Sequence, residues 1–292
     1  MAISAAMVKE LRERSGAGMM ECKKALVETD GDIEAAIELM RKSGQAKADK
    51  KAGRVAAEGL ISVKVTADAK AVAIAEVNCE TDFVTKESDF MAFVDNVGAR
   101  VLSDNPDSVE ALSAMAVTDG GKTIDETRQE LISKIGENMT VRRFERFDAA
   151  GSISSYKHGV RIAVIVDLEN GDDELGKDIA MHIAASRPSC ISEADVDQAL
   201  LDKEREIFSA QALESGKPAN IVEKMVEGRI KKYLKEITLM GQPFVKDPDQ
   251  TIEQLLKSKG ATVHRFVRME VGEGIEKKVE NFAEEVAAQI GG

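Results

Sequence analysis

The sequence predicts an α+β protein, and three patterns predict it. Apolar residues recur at helical spacing through the first 45 positions, and the apolar period then switches to two from Glu58. A strand pair followed by helix returns 92 residues later, as expected of two related halves. At 292 residues the chain is long enough for about two domains with a sizeable core.

In residues 1–45 the stripes are Ile3, Met7 and Leu11, then Met19, Cys22 and Leu26, then Ile33, Ala36, Ile37 and Met40. Ser15-Gly-Ala-Gly18 and Asp30-Gly-Asp32 punctuate them, so the segment reads as three short helices. Helices of about three turns bury little, and such a bundle needs a partner. From Ser43 to Arg54 the chain is polar, mostly basic and without an apolar stripe, which predicts a linker over 46–57.

Ile61, Val63 and Val65 alternate with Ser62, Lys64 and Thr66, the pattern of a half-buried strand. A turn near Asp68-Ala-Lys70 leads into an apolar strand over 71–77, and helices are predicted from Asp82 to about Leu102 and from Lys122 to Ile135. A second hairpin covers 151–168. The shift of 92 pairs Gly59 with Gly151, Ile61 with Ile153 and Ser62 with Ser154. It also pairs Val72 with Val164, Ile74 with Val166 and Asn78 with Asn170. The two halves are set at 58–140 and 141–270.

Within the second half, residues 193–237 read as two helices split by Ser215-Gly-Lys-Pro218. Val196, Leu200, Lys203 and Ile207 line the first, and Val222, Val226, Ile230, Tyr233 and Ile237 the second. The pattern leaves open whether this hairpin packs on the core or projects as an arm, and whether the arm joins two copies. A last strand, Ala261 to Val271, precedes a terminal helix over 271–292 with the stripe Ile275, Val279, Phe282, Val286 and Ile290.

Charge and motifs exclude much. Net charge is −12 with a pI near 5.0, against a direct nucleic-acid-binding surface, which needs clustered Lys and Arg. No apolar run is long enough to span a membrane, and Met1 to Glu10 meets charge too early for a signal peptide. Cys22, Cys79 and Cys190 are odd in number and far apart, as expected of reduced thiols in the cytoplasm.

Gly120-Gly-Lys-Thr123 lacks the first glycine of a phosphate loop, where Ala116 stands, and Gly16-Ala-Gly18 meets Glu21 in place of a third glycine. His158, His182 and His264 are scattered, and no nucleophile signature is present. Glu76, Glu80 and Asp82 form a carboxylate group without an electrophile or base partner, read as a solvated strand end. No active site, metal or cofactor is expected; the chain does not read as an enzyme.

One corner stands out. Phe83 lies where the apolar strand ends and a helix begins, between Asp82 and Val84, with Thr81 as a candidate N-cap. On the residues alone such a phenylalanine folds back into its own core, with an anchor for a partner as the alternative.

Several segments together resemble the elongation factor Ts family. Val8 to Leu26, with Arg-Ser-Gly-Ala-Gly-Met-Met-Glu-Cys-Lys-Lys at its centre, is similar to the family's first signature, and Glu76 to Val84 to its second. Further similarity runs through Ile179–Ser186, Glu223–Arg229, Gly241–Val245 and Val271–Glu276, so it covers essentially the whole chain.

The resemblance implies an N-terminal bundle similar to ubiquitin-associated domains, a coiled-coil arm and a C-terminal helical module. It implies a guanine-nucleotide exchange factor that binds elongation factor Tu, both GDP-bound and nucleotide-free. Thr81, Asp82, Phe83 and Val84 would push between two helices of the partner's nucleotide domain, disturb its magnesium and loosen GDP. Leu11, Met19, Met20 and Lys23 would dock on that same domain, and His158 on another. For Leu11 and Met19 the bundle's own core is the competing role. A binding or chaperone-like module without exchange activity is the alternative function. For Phe83, the resemblance turns the core reading into the anchor reading.

Overall fold

The computed structural model describes residues 3–214 and 218–276. Of these, 3–64, 73–146 and 270–276 belong to one compact unit, and 65–72 and 147–269 to another. Helices and small sheets are both present, as the sequence predicts.

The first unit opens with three helices. Helix α1 (Ala5–Ser15) starts where the Ser4 hydroxyl accepts the Met7 amide, and ends at Gly16, whose φ of 69° is left-handed. Helix α2 (Met19–Glu28) and helix α3 (Ile33–Lys51) follow, the latter capped by Asp32 on the Ala35 amide. Leu11, Cys22, Ala25, Leu26 and Ala36 form the bundle's core, with Met7, Ile37 and Met40 packed around it.

The segment expected as a tether is different. Helix α3 runs through Lys51, and Gly44 and Ala48 on it are buried. Ala48 belongs to the core of the following sheet, so the helix joins bundle to sheet as one rod. Its buried positions are Gly and Ala, too small to show as an apolar stripe.

Strand β1 (Glu58–Val65) and strand β2 (Ala71–Cys79) form a hairpin closed by the Thr66 amide on the Ala71 carbonyl. Every residue of β2 is buried. A single 3₁₀ turn, Val84–Lys86, precedes helix α4 (Ser88–Asp104), so the helix expected from Asp82 begins six residues later. Helix α5 (Val109–Ala114) and helix α6 (Ile124–Ile135) follow, α6 with a reciprocal capping box between Thr123 and Glu126. Strand β3 (Met139–Asp148), which the sequence reading omitted, completes a sheet of order β1-β2-β3. Phe90, Phe93, Val97 and Val101 of α4 and Leu131 and Ile132 of α6 share its core.

In the second unit, strand β4 (Ser152–His158) pairs antiparallel with strand β5 (Ile162–Glu169), Ser152 facing Leu168 and His158 facing Ile162. Helix α7 (Asp173–Ser186) packs on both. Helix α8 (Gln198–Leu213) and helix α9 (Ala219–Ile237) form the expected hairpin and pack chiefly on each other. The face of α8 that meets α9 carries Leu201, Phe208 and Ala212. Leu200 and Ile207, expected on the packed stripe, are exposed instead.

Strand β6 (Pro243–Phe244) and strand β7 (Asp247–Thr251) make a short ribbon, helix α10 (Ile252–Lys259) follows, and strand β8 (Thr262–Glu270) joins the sheet in the order β4-β5-β8. The expected terminal stripe from Val279 onward lies outside the described residues.

Both halves use one contact to seat helix on strand. Ser62 of β1 is buried against Gly98 of α4, where an added Cβ would fall 2.2 Å from the Ser62 Oγ. Ser154 of β4 is buried against Gly176 of α7, with the corresponding distance 2.0 Å. Only a glycine lets helix and strand approach this closely. The paired serines are those related by the 92-residue shift.

Candidate functional site

The end of β2 builds the corner. Glu76, Asn78 and Glu80 share a face, as alternation predicts, and the Asn78 amide donates to Glu76 at 3.0 Å. Glu76 is wholly buried, not a solvated strand end. Its carboxylate accepts from Arg143 Nε at 2.6 Å, Arg142 Nη1 at 3.1 Å and the Gly272 amide at 2.7 Å. Burial is the largest single influence and pushes its pKa up, but these donors outweigh it and hold the group below its ordinary value. Glu80 pairs with Arg54 at 3.0 Å and accepts the Asn138 amide at 2.5 Å. Both carboxylates are engaged in tying the unit together and are not free for acid–base work.

Beyond Glu80 the chain leaves the sheet. Cys79 is buried and its Sγ donates to the Thr81 carbonyl at 3.2 Å. Burial, then the charges of Glu137, Glu58, Asp82 and Glu80, push its thiol up to about 12, so it carries no thiolate at neutral pH. Thr81 does not cap a helix as expected. Its amide and hydroxyl both donate to the Glu137 carboxylate, at 2.9 and 2.7 Å, because the break at Glu87 moves the start of α4 away from it.

Phe83 is 73% exposed. Its backbone is helical, φ −61° and ψ −42°, and its carbonyl accepts the Lys86 amide. The Thr85 hydroxyl donates to the Asp82 carbonyl at 2.6 Å. Lys86 reaches over the Phe83 ring, 5.7 Å from its centroid, and lies 3.9 Å from Asp82. Val84, expected to meet a partner, points the other way: it is buried in the core with Phe90 and Val97 and pins the turn that presents Phe83.

On the bundle, Met19, Met20 and Lys23 are exposed, Met20 by 76%. Met19 follows Gly18 as the first residue of α2 and leaves the stripe that Cys22 and Leu26 continue. Leu11 corrects the expectation of a contact residue. It is fully buried at the centre of the bundle, with no side-chain surface on the outside of the folded bundle. His158, in the second unit, is exposed at the end of β4, where the Tyr156 hydroxyl lies 3.1 Å from its Nδ1.

Among the described residues, no group of three or more His, Cys, Asp or Glu is placed to hold a metal ion, and no helix is long and apolar enough to cross a membrane. Glu137 is the site residue that sequence reasoning missed; it lies one residue past the Gly136 cap of α6, where periodicity has ended.

Fold and corner together define a mixed helix-and-sheet protein that displays a large apolar side chain on a braced turn. Residues 80–273 match the family described as elongation factor TS. Over its full length the chain is 66% identical to the whole of elongation factor Ts from Thioalkalivibrio sulfidiphilus. It is 65% identical to that of Methylococcus capsulatus over 99% of both chains. Against that of Legionella pneumophila it is 54% identical over 99% of this chain and 98% of the relative. The chain belongs to the elongation factor Ts family, and so to the translation elongation factors.

Proposed function

We propose that this chain binds elongation factor Tu in the cytoplasm and promotes release of its GDP, with Phe83 as the wedge. The observation that carries this reading is the 73% exposure of Phe83 on a turn fixed from both sides, by Thr81 and by Val84. Asp82 and Phe83 enter between two helices of the partner's nucleotide domain and displace the ligands of its magnesium. Val84 acts from within the core as the anchor of that turn. Met19, Met20 and Lys23 dock on the same partner domain and His158 on another. Leu11 holds the bundle that presents them.

An exchange factor makes and breaks no bond. It binds the nucleotide-free partner more tightly than the GDP-bound one, and the two ligands weaken each other by the same factor. Taking such an equilibrium from 1:99 to 99:1 demands about 5.5 kcal/mol of differential affinity. Burying one phenylalanine supplies about 1.5–3 kcal/mol. Several separated contacts must therefore act together, and small shifts in magnesium and phosphate ligands amplify the wedge.

Release of a fluorescent GDP analogue from purified elongation factor Tu, with and without the chain, tests the proposal. Acceleration is expected. Tight binding without acceleration points instead to a module that holds its client.

A further inference from the structure

We infer that Glu137 is a positioning residue for Phe83, holding the wedge turn in its presenting geometry; this rests on the exchange reading above. The carboxylate accepts two hydrogen bonds from a single residue, the Thr81 amide at 2.9 Å and the Thr81 hydroxyl at 2.7 Å. Hydrogen bonds to a charged acceptor are shorter and stronger than neutral ones, and two to one residue fix orientation as well as distance. Thr81 is the last residue before Phe83 held by a group outside the turn, and Val84, buried in the core, is the first after it, while Asp82 is held from within the turn through Thr85 and Lys86. Asp82 and Phe83 thus form a two-residue span between fixed ends.

The clamp is itself anchored. The neighbours of Glu137 bind the end of α3 and the turn after it: Gly136 accepts from Lys51 Nζ through its carbonyl, and Asn138 donates through its side chain to the Arg54 carbonyl at 2.8 Å. The Asn138 amide donates to Glu80 at 2.5 Å, one residue before Thr81. Three successive residues therefore fix the wedge turn to the helix that carries the N-terminal bundle. A partner gripping the bundle meets Phe83 at a set position, with the ordering cost met in the free protein.

The test uses the full chain with Glu137→Gln, which puts an NH₂ where a carboxylate oxygen accepted, and with Thr81→Val and Thr81→Ser. Two readouts are taken: the amide hydrogen exchange of Thr81 in the free protein, and GDP-analogue release from elongation factor Tu as a function of chain concentration. Glu137→Gln is expected to speed Thr81 amide exchange at least tenfold and to lower the maximal release rate about tenfold. Its half-saturating concentration stays within about twofold, since the bundle still docks. Thr81→Val repeats the loss in rate, and Thr81→Ser, which keeps the hydroxyl, restores it. A purely structural part for Glu137 would lower the melting temperature and leave the maximal rate alone, and that result overturns the inference. So does an unchanged Thr81 amide. Failure of the wild-type chain to release GDP would sink the exchange reading separately, because the amide measurement needs no partner.

Discussion

Glu76, without solvent exposure, is gripped by Arg143, whose Nε lies 2.6 Å from its carboxylate. The pair joins β2 to β3 across the middle of the first unit's sheet. The Gly272 amide, on the same carboxylate, brings the segment after β8 to it.

Removing one side of a buried ion pair leaves the other uncompensated. Glu76→Ala is expected to cost about 3 kcal/mol, the lower end for a buried pair because both arginines keep some water. Denaturant unfolding measures it. Because the folded carboxyl titrates below its ordinary 4.5, its contribution is complete above that value and fades as pH falls toward the folded pKa. Wild type therefore loses stability below pH 4.5 more steeply than the alanine variant.

Phe83→Ala should slow GDP release by about one to two decades while leaving the melting temperature within a degree or two. The side chain touches solvent, so the fold has little to lose. Exchange at the wild-type rate would remove Phe83 from the mechanism.

Leu11 and Met20 separate stability from docking. Leu11→Ala opens a cavity in a small core and is expected to destabilise the bundle by about 2–5 kcal/mol. Met20→Ala changes stability by under about 0.5 kcal/mol but weakens binding to elongation factor Tu. Thermal melts paired with calorimetric binding distinguish the two.

His182 gives the second unit an acid limit of its own. Its Nδ1 accepts the Val245 amide at 3.2 Å and its Nε2 bonds to Gln242 at 3.0 Å, an arrangement that needs the neutral ring. Burial depresses its pKa below the ordinary 6.5, against the smaller opposite pull of Gln242. The unfolded chain takes up a proton near pH 6.5 and the folded chain does not. Stability is thus complete above 6.5 and declines as pH falls below it, until the folded ring titrates. In His182→Gln that part of the slope is expected to vanish, at a lower overall stability; melting curves between pH 7.5 and 5.5 check it.

Strands β1, β2, β4, β5 and β8 and the bundle stripes were legible because their apolar residues are large and regularly spaced, whereas the short, largely polar ribbon of β6 and β7 offers no such period. Strand β3 was not, since Arg142 and Arg143 break the alternation; they turn toward a buried carboxylate that no local pattern reveals. On α8 the doublets Leu200-Leu201 and Ile207-Phe208 offer two stripes one residue apart, and periodicity alone does not choose between them. The Phe83 corner was found through its motif. That Val84 points inward, and that Glu137 braces the turn from 56 residues away, depend on tertiary packing.

The serine–glycine contacts of the two halves carry one more consequence. They fix a common frame, and within it the halves differ where strand passes to helix. Eight residues, 80–87, separate β2 from α4, whereas three, 170–172, separate β5 from α7. The glycine also sits deeper in its helix in the first half, ten residues past the start against three. The turn that exposes Phe83 thus occupies the longer of two corresponding connections, and the shorter one has no room for it. Where the link from strand to helix is longest, the chain has length enough to leave the sheet and hold an aromatic side chain out to solvent.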